Sequence, residues 1–90
     1  MTYQQDMLDE LNLLLQFNLE STLEGIKIHS TAKPTVISAA HRLHEKGMIT
    51  RTDGGYLTDL GHEAAEHAQA LLIMMTEPRE HAQTHTPITG

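Results

Sequence analysis

Five of the six basic side chains in this 90-residue sequence fall in one central stretch: Lys27, Lys33, Arg42, Lys46 and Arg51, with His29, His41 and His44 among them. Residues 1–24 carry Asp6, Asp9, Glu10, Glu20 and Glu24 and no basic residue, and residues 53–90 carry acids against Arg79 alone. A belt of cations can neutralise phosphates, which is the electrostatic part of nucleic-acid binding. The net charge of −6 pulls the other way. The distribution of charge, and not its sum, carries the nucleic-acid expectation.

The seven histidines invite a metal reading. His41 and His44 are three apart and His81 and His85 four apart, spacings that place two rings on one helix face. No acid recurs beside them at a ligand spacing and the chain has no cysteine, so no metal and no cofactor are expected. The lack of cysteine also excludes disulfides and thiol nucleophiles. There is no phosphate-cradling glycine loop and no nucleophile elbow. The expectation is a protein that is not an enzyme.

The elements that must position the basic belt can be read from periodicity. Met7, Leu8, Leu11, Leu14 and Leu15 recur at helical spacing, so residues 3–16 are predicted as a first helix, with Leu13 off the stripe. Ser21 and Glu24 have the spacing of a capping box, and Gly25–His29 alternates like a strand. A short helix running into an extended piece is therefore expected over residues 17–32. Pro34 and Gly47 bracket the clearest helix, residues 34–46, with Val36, Ala39, Ala40 and Leu43 facing inward. Met48–Arg51 and Tyr56–Thr58 are predicted as two short strands joined through Thr52-Asp53-Gly54-Gly55. Thr58 then caps a last helix over residues 59–75, with Ala64, Ala68, Leu71, Leu72 and Met75 on one side. From Thr76 the sequence loses periodicity, and residues 76–90 are expected to form a disordered tail after a single domain, residues 1–75.

The fold class expected is mainly α with a small β-hairpin, a winged helix-turn-helix. Arg42-Leu43-His44-Glu45-Lys46-Gly47-Met48-Ile49-Thr50-Arg51 resembles the end of the recognition helix and the first wing strand of MarR-type regulators. Tyr56-Leu57-Thr58-Asp59-Leu60-Gly61 is similar to the second wing strand and the helix after it in the same group. The whole chain also resembles a small bacterial family described only as DNA-binding. MarR-type regulators are longer, and the wing tip Asp53-Gly54-Gly55 is acidic where such wings carry Arg or Lys.

The resemblance implies a transcriptional regulator that binds double-stranded DNA, with helix 34–46 in the major groove. Thr35 and Ser38 would reach phosphates or base edges, Lys33 and Arg42 would neutralise phosphates, His41 would read a base or phosphate, and Arg51 would lie over the adjacent backbone. The alternative is a winged-helix module that binds a protein partner and no DNA. Ile73 and Met74 carry the apolar surface of the last helix round its circumference, so a homodimer through helices 3–16 and 59–75 is also expected. The first ten residues have no basic start, and the longest apolar stretch, Ala70–Met75, is too short to span a bilayer. A cytoplasmic location without membrane contact is the expectation.

Overall fold

A computed structural model describes residues 1–21 and 23–77. Helix α1 is Gln5–Leu14, strand β1 Ile26–Lys27, helix α2 Pro34–Glu45, strands β2 Ile49–Arg51 and β3 Gly54–Leu57, and helix α3 Asp59–Thr76. The molecule is mainly helical with a small antiparallel sheet, in a winged-helix-like arrangement. The sheet has three strands, in the order β1-β3-β2, one more than the expected hairpin. The third comes from the alternating segment at Gly25–His29, whose Ile26 and Lys27 pair with Gly55 and Gly54.

The short helix expected from Ser21 is not formed among the described residues. Ser21 Oγ accepts from the Leu23 amide at 3.2 Å, and Asn18 Nδ2 donates to Glu24 at 3.2 Å. The Ser21 hydroxyl thus serves a turn, which Ser does as readily as it caps a helix, and the Glu24 carboxylate is held by Asn18. Between β1 and α2 the chain makes a single turn, the Ala32 amide donating to the His29 carbonyl at 3.0 Å. That turn stands where a helix-turn-helix would carry its first helix.

The wing also differs in detail from its sequence reading. The turn is Thr52-Asp53, and both glycines lie within β3. Gly54 and Gly55 have φ of 118° and 76°, and a Cβ on either would collide with Ile26 or Thr50. They are close-approach positions that let β1 and β2 flank β3, and not turn residues. The register slips between Ile49 and Arg51, and the Thr50 hydroxyl accepts from the Tyr56 amide at 2.9 Å, replacing a ladder bond at the bulge.

The core gathers Leu13, Leu14 and Phe17, then Ala39, Ala40 and Leu43 of α2, with Ile49 and Ala65. Leu13, expected off the stripe, is buried, whereas Met7 and Leu8 are exposed. The inward face of α1 runs through Glu10, Leu13 and Leu14 and is continued by Phe17 beyond the helix. On α3, Gly61, Ala65 and Ala68 are buried, while Leu71, Leu72 and Met75 are exposed. At the α2–wing–α3 junction Thr58 Oγ1 accepts from the Gly61 amide at 3.0 Å and donates to the Gly47 carbonyl at 2.5 Å. One hydroxyl thus caps α3 and satisfies the chain leaving α2. No helix among the described residues is long and apolar enough to cross a membrane. The expected tail lies largely outside the described residues, and α3 itself runs to Thr76.

Candidate nucleic-acid interface

Helix α2 presents the residues expected to meet DNA because its apolar positions Ala39, Ala40 and Leu43 turn the opposite face outward. Lys33 stands at its N-cap without a side-chain cap, and Lys33, Thr35, Ser38 and His41 are exposed. Arg51 is exposed on β2. Arg42 is placed otherwise. Its guanidinium turns back to α1, Nε donating to Glu10 Oε2 at 2.7 Å and Nη2 to the Asp6 carbonyl at 3.3 Å, with the Asp6 carboxylate at 3.9 Å.

Glu10 is the residue that sequence reasoning missed. It is the one buried charged side chain among the described residues, 4% exposed, and it also accepts from the Lys46 ammonium. Burial raises its carboxyl pKa, and the hydrogen bonds and charges of Lys46 and Arg42 more than reverse this, holding it below the ordinary 4.5. Glu10 lies one helical step before Leu13 and Leu14 on the inward face of α1, a face that the apolar spacing of Met7, Leu8 and Leu11 does not mark.

A second bridge removes another cation from the belt. Lys27 Nζ lies 2.9 Å from Asp53 Oδ2, and this contact lowers the Asp53 pKa. Of the five basic residues of the belt, Lys33 and Arg51 make no ion pair among the described residues.

The expected contact residues lie on two flanks of α2. Thr35 and Ser38 share a shallow depression with Asp6 and Asp9 of α1. His41 opens instead onto a second hollow of about 470 Å³ with His29, Lys27 and Asp53. A larger groove, about 600 Å³, runs between α1, β1 and the start of α2 over Leu13, Ile26 and Val36. No group of three or more metal-ligating side chains occurs among the described residues; His81 and His85 lie outside them.

Comparison with curated proteins and with solved structures returns no match. Helices α1, α2 and α3 and the wing fall within residues 1–76, which match the model of a family of unknown function, and the chain belongs to that family, DUF5669.

Proposed function

We propose that this chain is a protein-binding module of winged-helix-like form, without a reaction of its own. The observation that carries this reading is the end of α3. Every residue from Gln69 to Thr76 is exposed, and Ala70-Leu71-Leu72-Ile73-Met74-Met75 is an unbroken apolar run. An apolar surface of this kind, continuous round a helix, marks an interaction site in a soluble fold. The internal bridges of the belt support the same reading, because three of its five cations are bound to carboxylates of the chain itself. The test is a photo-crosslinking side chain placed at Leu72 in growing cells. Discrete adducts at Leu72 and none at Glu45, an exposed position on α2, are the expected result. Equal or absent labelling at the two positions overturns the reading.

A second reading, double-stranded DNA binding by a regulator of MarR type, is favoured by one observation. No acid occurs on α2 before Glu45, and Lys33, Thr35, Ser38 and His41 are exposed along it, as Arg51 is on β2. Fluorescence anisotropy with mixed-sequence duplexes at about 20 mM salt, where screening is weak, decides between the two. Saturable binding there favours the DNA reading.

A further inference from the structure

We infer that the exposed end of α3 is covered by the same segment of a second copy of this chain, packed antiparallel about Leu72; this rests on the protein-binding reading above. The inward stripe of α3 passes through Gly61, Ala65 and Ala68, all buried. Its next positions at helical spacing are Leu72 and Met75, which are 46% and 76% exposed. The stripe that packs the monomer therefore continues for two turns with nothing against it among the described residues. Leu71 and Ile73, a quarter turn to either side of Leu72, widen it and are 40% and 39% exposed.

Charge selects the orientation. Helix α3 carries Asp59, Glu63 and Glu66 in its first half and no Lys or Arg anywhere along Asp59–Thr76. A parallel pair aligns each acid with its own copy, which is repulsive. An antiparallel pair centred on Leu72 points the acidic halves away from each other, and Gln69–Met75, the overlap, contains no charge. The same register brings Glu77 of one copy level with His67 of the other. It sets Leu72 against its own copy and Gln69 opposite Met75 on the seam, with Leu71 and Ile73 about a quarter turn to either side of it.

The area fits a weak pair. Leu71, Leu72, Ile73 and Met75, the exposed apolar residues on that side, offer on the order of 400 Å² per copy, against ~800 Å² per partner in a standard interface. Association in the micromolar range, and not an obligate dimer, is the consequence.

Sedimentation of the full chain from about 10 to 200 μM tests the inference. The expected mass rises with concentration from 10.0 kDa toward twice that value, and Leu72→Glu, a surface change in the monomer, keeps the helical circular dichroism and stays monomeric. Two single-cysteine variants test the register in a chain that has no cysteine of its own. Leu72→Cys should oxidise to a covalent dimer. Met75→Cys should not, because its copy sits about 9 Å further along the axis across helices ~8–10 Å apart, beyond the ~7 Å reach of a disulfide. A parent that is monomeric at 200 μM, a Leu72→Glu variant that still dimerises, or equal crosslinking of both cysteines overturns the proposal. If the parent is monomeric while the Leu72 photo-crosslinker gives adducts of another mass, the second copy fails and the protein-binding reading stands. If no adduct forms, both fail.

Discussion

Glu10 and Arg42 face each other across the α1–α2 interface, the carboxylate Oε2 2.7 Å from the guanidinium Nε. The Glu10 side chain is 6% exposed and that of Arg42 29%, so the bridge lies at the edge of the core with its anion inside. Lys46, at the end of α2, closes on the second carboxylate oxygen. One buried acid therefore holds the C-terminal turn of α2 to α1. The same contacts take two cations out of the face that DNA binding would use.

Removing that acid should loosen the helix pair. Glu10→Gln keeps the shape and loses the charge, leaving one amide against two cations that can swing toward water. The expected destabilisation is about 1–3 kcal/mol, and a melting temperature lower by ~4–8 °C for each kcal/mol in a domain of this size. A thermal melt identical to that of the parent would show that the bridge is no stronger than a solvated surface pair.

Acid should weaken the fold through the same residue. Burial alone would raise the Glu10 pKa, but Lys46 and Arg42 bring it below 4.5 in the folded state. A group whose folded pKa is depressed contributes stability above its unfolded value and loses it as pH falls through the folded one. Asp53, lowered by Lys27, has the same sign. Denaturant midpoints measured from about pH 6 to pH 3 should therefore fall below about pH 4.5, and Glu10→Gln should flatten that fall. An equally steep acid limb in the variant would assign the loss to other carboxyls.

The sequence made some of this legible and hid the rest for identifiable reasons. Pro34, Gly47 and Thr58 are local signals whose physics needs no distant partner, and α2, the wing and the start of α3 stand where those residues indicate. Periodicity misplaced the inward face of α1, because Met7 and Leu8 fit the apolar stripe while Glu10 occupies a buried position on two cations from α2. Ser21 and Glu24 matched a capping box, yet their partners are Leu23 and Asn18. The basic belt was visible as composition, but the carboxylate that binds Arg42 lies 32 residues away in sequence. Spacing rules do not reach that far.

The junction between the wing and α3 should be less tolerant than the turn that ends α2. A Cβ at Gly61 would overlap the Met48 carbonyl, backbone that also accepts from the Thr58 amide at 3.0 Å. Gly47, at φ 77°, has open space where a Cβ would go. Gly47→Val then meets conformational strain alone, about 1–3 kcal/mol, whereas Gly61→Ala must move α3 away from the sheet and should cost at least as much. Chemical denaturation of the two variants orders them. A Gly61→Ala protein as stable as the parent would place α3 further from Met48.

Salt dependence reads the state of the belt directly. Each phosphate neutralised contributes ~0.9 to the log–log slope of binding against salt. With Lys33 and Arg51 as the unpaired cations among the described residues, the DNA reading gives a slope of about −2 for one copy and about −4 for two. Lys33→Ala and Arg51→Ala should each remove about 0.9 per copy engaged, while Arg42→Ala, whose charge is already matched by Glu10, should leave the slope unchanged. Glu10→Gln should act in the opposite direction, releasing Arg42 and Lys46 and steepening the slope by up to ~2 per copy. Such a gain would show that Glu10 is what keeps the outer face of α2 from phosphate. If Arg42→Ala instead lowers the slope of the parent by about one unit, Arg42 must leave Glu10 when DNA arrives, and the bridge between α1 and α2 opens on binding.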